Sequence, residues 1–371
     1  MEKVRLGDIF EYLPKSKLKA GDGKKTGKYK FFTSSNIQDK YVDEFIYDGE
    51  YLIFGTGGNA SINYCNEKFS TSTDNFVVKV NGNFNTKLIY LYFKNDMSKL
   101  EKGFKGASIK HISKEYINQL YIPKYDLEAQ EDIVKKLNRV QEIIDIRKKQ
   151  IEELDELIKS QFVEIFGNPI INDKNIDFME MPAVCEIIDG DRGKNYPKAE
   201  EFFEEGYCLF LNAKNVTING FSFENCMYIT EEKDKKLRNG KLKRGDIVLT
   251  TRGTVGNLAF YTEEIPFENV RINSGMVILR MKKDIVNEIF FIEQFKMQLD
   301  NIKNKISNGS AQPQLPIAKM NGIKVLLPDI RVQNKFAEIV KQIDKQKFEI
   351  QKSLEETQKL QESLMNKYFG E

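Results

Sequence analysis

Residues 127–167 read as one unbroken helix, and such a helix cannot stand alone. The run LEAQEDIVKKLNRVQEIIDIRKKQIEELDELIKSQFVEIFG has no proline, and its only glycine is its last residue. Ile133, Leu137, Val140, Ile144, Ile151, Leu154, Ile158 and Ile165 fall 4, 3, 4, 7, 3, 4 and 7 apart. That is a heptad seam, interrupted only by Arg147 and Gln161. Asp126 suits an N-cap and Gly167 a stop. At 1.5 Å per residue, about 39 helical residues make a rod of roughly 58 Å. To leave water, the seam needs a partner.

The same chain supplies one. Shifted by 203, residues 106–167 align with 309–370 without a gap. Gly106 matches Gly309, Asn118 matches Asn321, Asp126 matches Asp329, Gln130 matches Gln333, and Phe166-Gly167 matches Phe369-Gly370. Phe336, Val340, Ile343, Ile350, Leu354, Leu364 and Tyr368 continue the seam, with Leu360 expected to fill in where Thr357 and Gln361 are polar. A repeat of about 200 residues is too long for a solenoid unit. It predicts a duplicated module, a globular part followed by a long helix, twice. The expected boundaries are 1–126, 127–167, 168–329 and 330–371, and the fold class is α+β with the two helices packed on each other.

Composition excludes several classes. Among 371 residues, no apolar run approaches the ~20 of a membrane span. MEKVRLGDIF is not a signal peptide, so a cytoplasmic setting is expected. Cys65, Cys185, Cys208 and Cys226 are scattered, and His111 is the sole histidine, so neither a disulfide framework nor a metal centre is expected. Net charge is only +2, yet residues 1–126 carry 20 Lys/Arg against 15 Asp/Glu, which suits a polyanion surface.

Each globular part reads as short strands joined by polar turns. In the first, YKFFTSSNI (29–37), EYLIFGTGGNASINYC (50–65) and KFSTSTDNFVVKV (68–80) are strand-like, KLIYLYFKND (87–96) is a short helix, and YINQLYIPKYD (116–126) is a last strand. GYCLFLNAKNV (206–216), RGDIVLTTRGTVGNLAFY (244–261), RINSGMVILR (271–280) and the helical EIFFIEQFKMQLDNIKNK (288–305) repeat that order. The apolar frame is kept while TSSN becomes NAKN, as in duplicates with different loop specificities. GDGKKT (21–26) fails the P-loop pattern, because Leu18 stands where the first glycine belongs and Lys25 where Ser or Thr belongs.

The chain resembles the specificity (S) subunit of Type I restriction–modification systems. The resemblance covers essentially its whole length. Its carriers are the GDI-strand-glycine segment Gly245–Gly253, the run Gly309–Leu315, and a strand-proline approach leading to Gln130 or Gln333 at the start of each long helix. Each copy keeps one proline there, Pro123 and Pro328, where family members often show two. The resemblance implies two target recognition domains, each reading half of a split double-stranded DNA site. It implies an antiparallel coiled coil that sets the spacing and docks two methyltransferase (M) subunits, with restriction (R) subunits joining that core. It implies no catalysis by this chain and no cofactor. In agreement, there is no Asn/Asp-Pro-Pro-Tyr/Phe motif, no S-adenosylmethionine loop and no Walker A sequence.

Base edges are read by side-chain donors and acceptors, and phosphates are held by Lys, Arg and small hydroxyls. The candidate DNA-binding residues of the first module are Thr33, Ser34, Ser35, Asn36, Thr56, Asn59, Thr71, Asp74, Lys105, Ser108, Lys110 and His111. Those of the second are Arg192, Lys194, Asn212, Lys214, Asn215, Thr251, Arg252, Arg271, Asn273, Ser310, Gln312 and Gln314. Arg252 is the favoured bidentate guanine reader, and Gln312 or Gln314 suits adenine. Two other readings stay open: a duplicated ligand-binding scaffold without DNA, and a specificity protein paired with a methyltransferase-nuclease of another type.

Overall fold

The computed structural model describes residues 2–106, 110–306 and 314–370. The chain divides into two compact units, Met1–Lys149 with Gln351–Glu371, and Gln150–Ile350.

The first unit runs β1 (Lys3–Arg5), β2 (Phe10–Tyr12), β3 (Tyr29–Phe32), β4 (Lys40–Val42), β5 (Tyr47–Asp48), β6 (Tyr51–Gly55), β7 (Ser61–Cys65), β8 (Lys68–Thr71) and β9 (Asn75–Val80). Then come α1 (Thr86–Asn95), α2 (Ser98–Glu101), α3 (Lys114–Gln119), β10 (Tyr121–Pro123) and the N-terminal part of α4 (Leu127–Phe166). One antiparallel sheet has the order β2-β9-β6-β7 and a second the order β4-β3-β8-β5 with β3 parallel to β8, while β1 pairs with β10. Strand β6 is apolar on both sides because both are covered. Its Leu52 and Phe54 pack with Leu88, Ile89 and Phe93 of α1 and with Ile133 and Leu137 of α4. Its Ile53, facing the other way, meets Phe32 and Phe69 of the second sheet.

The second unit repeats this plan with β11 (Phe178–Glu180), α5 (Met181–Val184), β12 (Cys185–Asp189), β13 (Cys208–Leu211), β14 (Val216–Thr217), β15 (Gly220–Phe221), β16 (Tyr228–Ile229) and α6 (Glu231–Lys236). It continues through β17 (Ile247–Thr250), β18 (Leu258–Phe260), β19 (Val270–Ile272), β20 (Met276–Met281), α7 (Glu288–Ile306), α8 (Ile317–Asn321), β21 (Lys324–Leu326) and α9 (Ile330–Phe369). The order β12-β20-β17-β18 answers β2-β9-β6-β7, and β16-β13-β19 with its parallel β13–β19 pair answers β4-β3-β8. The β11–β21 pair answers β1–β10. Internal duplication is therefore a property of the strand order as well as of the helices.

Both long helices form, and they pack antiparallel within each unit. In the first unit Tyr125 Oη donates to Tyr368 O at 2.9 Å and Gln361 Nε2 to Gln141 Oε1 at 2.8 Å. In the second, Lys347 Nζ reaches Asp155 Oδ1 at 2.5 Å. Asp126 Oδ1 caps α4 through Ala129 N at 2.7 Å, and Gly167 closes it with a φ of 75°. The matched glutamines act as clamps. Buried Gln130 accepts from Asn85 N and donates to Asn83 O and Tyr125 O, while buried Gln333 accepts from Asn287 N and donates to Ile285 O and Pro328 O. Each fixes the start of a long helix to the loop that opens α1 in the first unit or α7 in the second.

Three expectations are corrected. Leu360 does not fill the seam: it is 51% exposed, while Thr357 is buried. Arg147 donates to Ser353 O at 2.7 Å and to Thr357 Oγ1, so this seam layer is polar by design of both strands of the pair. At the end of α4 the buried positions are Ile158, Phe162 and Phe166, and Ile165 is only half-buried. A straight helix drifts about 20° per heptad from a strict seven-residue repeat, and the stacked ring of Phe290 on α7 rewards the drifted face. Finally, residues 114–119 are a short helix, capped by Ser113 Oγ on Tyr116 N at 3.2 Å, and the strand begins only at Tyr121.

Candidate nucleic-acid interface

In the first unit four loops converge at one end of the β2-β9-β6-β7 sheet. The Thr33–Asn36 turn leaves β3 and is held from below. Ser34 Oγ donates to Asp74 O at 2.5 Å and accepts from Thr56 N at 3.2 Å. Asn63 Nδ2 donates to Ser35 O at 2.8 Å, and Asn75 Nδ2 donates to Phe32 O at 3.2 Å. Asn36 Nδ2 donates to Ala60 O at 3.1 Å, and its Oδ1 accepts from Lys94 Nζ at 3.1 Å. Gly55 makes the close approach possible, because a Cβ there would lie 2.0 Å from Ser61 Oγ and 2.9 Å from Ser34 Cα. The fourth loop is pinned by His111, whose Nδ1 is 3.1 Å from Thr56 O and whose backbone pairs with Lys105. Lys110 O accepts from Gly58 N at 3.2 Å.

The structure thus brings together Thr33, Ser34, Ser35, Asn36, Thr56, Asp74, Lys105, Lys110 and His111, with Asn59 exposed at the β6–β7 turn. Their roles separate by exposure. Asn36, Asn59, Asp74, Lys105, Lys110 and His111 face solvent, whereas Thr56 is buried and Thr71 is fully buried. Thr71 cannot meet a base edge without unfolding the strand that carries it.

The second unit builds its cluster with charge. Arg192 Nη2 donates to Asp189 Oδ1 at 3.0 Å and to Ser274 O at 3.2 Å. Thr251 is buried, with N and Oγ1 both donating to Gly275 O at 2.8 and 3.0 Å. That repeats the Thr56 N to Asp74 O bond of the first unit. Exposed Arg252 forms an isolated backbone bridge with exposed Gln314, and Leu315 N donates to Thr251 O at 3.0 Å as Ile112 N does to Thr56 O at 3.2 Å. Asn273 Oδ1 accepts from Gly275 N at 2.8 Å. The Asn212–Asn215 turn is joined to this group through Asn257 Nδ2, which donates to Val216 O at 2.9 Å. Asn212 caps that turn on Lys214 N, and Lys194 and Lys214 are exposed.

Two candidates are spent inside the fold. Arg271 is buried: its guanidinium pairs with Asp234 at 2.5 Å and donates to Asn239 O at 2.7 Å and Leu237 O at 3.1 Å. All of its forks serve the α6 segment, which corrects the expectation that it reads DNA. Asn215 is likewise buried, donating to Ser222 O and Asn225 O. Ser108, Ser310 and Gln312 lie outside the described residues.

Sequence reasoning missed the supports. Asn63 and Asn75 are polar residues inside apolar strands, a signal that was legible. Asp191 is another: burial would raise its pKa, but the N–H groups of Gly193 and Arg238, at 2.8 and 2.7 Å, hold it below the usual carboxylate range. It keeps the Arg192 turn in place. Lys94, whose pKa burial lowers, is brought to Asn36 only by the tertiary fold. Among the described residues no group of His, Cys, Asp and Glu suits a metal ion, and no helix is long and apolar enough to cross a membrane.

Known proteins share this organisation. The chain is 26% identical over 397 residues to the Type I restriction enzyme MjaVIII specificity subunit of Methanocaldococcus jannaschii, covering 98% of this chain and 91% of that one. It is 24% identical to the MjaIX specificity subunit of the same organism, over 80% of this chain and 71% of the relative. The crystal structure of the Type-I restriction-modification system S subunit from M. genitalium superposes with a TM-score of 0.70 at 18% identity, over 100% and 96% of the two chains, and so shares the fold. The alternative of a ligand-binding scaffold finds no support in these matches. The family model of the Type I restriction modification DNA specificity domain matches residues 1–156 and 174–361, and the chain belongs to that family.

Proposed function

We propose that this chain is the sequence-specific, double-stranded DNA recognition subunit of a Type I restriction–modification complex, with each unit reading one half of a bipartite site. The observation that carries this reading is the paired loop cluster. Each unit hangs polar turns on the same two hydrogen bonds, at Thr56 and Thr251, and then presents different donors. In the first unit the readers are Asn36, Asn59, Asp74, Lys105, Lys110 and His111, with Thr33, Ser34, Ser35 and Thr56 shaping the turn. In the second they are Arg192, Lys194, Asn212, Lys214, Arg252, Asn273 and Gln314. Arg252 suits bidentate contact with guanine O6 and N7, and Gln314 suits adenine. Ser108, Ser310 and Gln312 stay in the proposal by sequence alone.

The recognition domains correspond to residues 1–126 and 168–329, and the helices 127–167 and 330–371 set the spacer and dock two M subunits, which R subunits then join. The chain itself is non-catalytic, needs no cofactor and works in the cytoplasm. Adenine methylation of a duplex requires the base to be flipped out, so this chain's task is to place M over each half-site. The test is single-molecule methylation sequencing of DNA from cells expressing the chain with its cognate M subunit, against M alone. A split motif that appears only with this chain is expected. No new motif, with assembly onto M verified, would overturn the reading. In the same assay, deleting one helical turn from 140–160 should change or abolish the spacer and leave both half-sites intact.

A further inference from the structure

Among the described residues the four most exposed large apolar side chains are Ile218 at 83%, Ile37 and Ile171 at 70%, and Phe348 at 67%. A lone exposed aliphatic is ordinary on a protein surface. Two of these four, however, leave the equivalent polar turns of the two units. Ile37 directly follows Thr33–Asn36, and Ile218 lies three residues beyond Asn212–Asn215. Neither joins any of the hydrophobic clusters.

The fold asks for neither. The two turns align Ile37 with Val216, which is buried in the second unit's core, so the first unit carries an aliphatic residue where its own core leaves it outside. Beyond Val216 the second unit makes the β14–β15 hairpin, which has no counterpart among the described residues of the first, and Ile218 stands at its tip. Both mounts are stiff. Ile37 N donates to Ser35 Oγ at 3.1 Å, and its neighbour Asn36 is tied to Ala60 O and Lys94 Nζ. In the hairpin, Thr217 Oγ1 donates to Gly220 O at 3.0 Å and accepts from Asn219 N at 3.2 Å. Its stalk is anchored by the Phe221 ring, stacked on Phe223 at 5.6 Å, and by Ser222 N, which donates to Asn215 O at 2.9 Å. A side chain held this way loses little freedom on contact.

A two-stranded ribbon enters the major groove of DNA, where the one apolar mark on a base pair is the C5-methyl of thymine. We propose that Ile37 and Ile218 each cover the C5-methyl of one thymine, one in each half-site, so that each half-site contains an A·T pair selected by apolar contact. The proposal rests on the DNA-recognition reading and adds to it a base and the atoms that select it.

The test uses the chain assembled with its cognate M subunit and a duplex carrying the split motif found by methylation sequencing. Preference for that duplex over a scrambled one checks the DNA reading by itself, and its absence would overturn both readings together. Each thymine of the motif is then replaced in turn by deoxyuridine, which removes only the methyl group. With the wild-type chain, one replacement in each half-site should weaken binding about fourfold, the worth of one buried methyl. In Ile218→Ala the replacement in one half-site should lose its effect while the other keeps it, and Ile37→Ala should do the converse. Ile218→Val and Ile37→Val should keep both. Each isoleucine is judged by its own half-site. Its part of the proposal is overturned if no deoxyuridine there weakens wild-type binding. It is also overturned if that sensitivity survives the alanine substitution, in which case any loss of affinity belongs to a protein contact or to the turn itself.

Discussion

In the first unit the polar turn rests on neutral groups: Asn63, Asn75, Ser34 and Asn36 all bond to backbone. The second unit rests on charge instead: Arg271 with Asp234 and Lys241, Asp191 under the Arg192 turn, and, at the opposite end of the β17–β20 pair, Arg280 bidentate on buried Asp246. The composition follows suit. Residues 1–126 contain one arginine, Arg5, and residues 168–329 contain six. The first unit leaves Ser61 Oγ and Asn75 Oδ1 buried without a partner, whereas the second leaves no such atom among the described residues. One strand order therefore supports two interiors, and a charged interior fails harder when broken, because a lone buried ion costs more than a lone buried amide.

The largest expected effect tests that contrast directly. Arg271→Ala combined with Lys241→Ala strands buried Asp234 and should destabilise the second unit by about 3–5 kcal/mol, whereas Asn75→Ala should cost the first about 1–3 kcal/mol. Urea unfolding followed by amide exchange resolves the two, and equal losses would break the comparison. Acid should pick out the same pair. Burial opposes the Asp234 carboxylate, but hydrogen bonds from Lys241 and Arg271 outweigh it and hold its pKa below the ordinary value of 3.8. Its contribution is present above that value and is lost as pH falls below it. Exchange protection around α6 should therefore fade on acidification before that of β6 and β9.

Smaller effects concern recognition. Arg252→Ala should relax one base of the second half-site by about 1–3 kcal/mol and leave the other half-site untouched. Arg252→Lys should not restore it, because a point charge lacks the guanidinium fork. A motif unchanged in methylation sequencing would remove Arg252 from the readers. Smallest is the pair Lys105→Ala and Lys110→Ala, which should weaken DNA binding evenly across sequences and reduce the slope of log affinity against log salt by about one each.

The readable parts of the site were those with a local signal. The glycine turn after β6 and the Ser/Asn turn after β3 are visible as breaks between apolar strands, and both reach the cluster. Arg271 was misread for the opposite reason. RINSG looks like a polar turn opening a strand, but the partner that buries its arginine, Asp234, lies 37 residues upstream on α6. Leu360 was expected to compensate from beside the seam, but Thr357 kept the seam position because Arg147 found Ser353 and Thr357 across it.

The sequence by itself determined the two long helices, their mutual need and the duplication, because heptad spacing and a constant offset of 203 are one-dimensional facts. It also determined the caps, Asp126 and Gly167, since these act within a few residues. Only the tertiary structure decided which polar residues face solvent and which are struts. Exposure and ion pairing depend on what arrives from distant chain, as Lys94 arrives at Asn36 and Asp234 at Arg271, and no local pattern encodes that meeting.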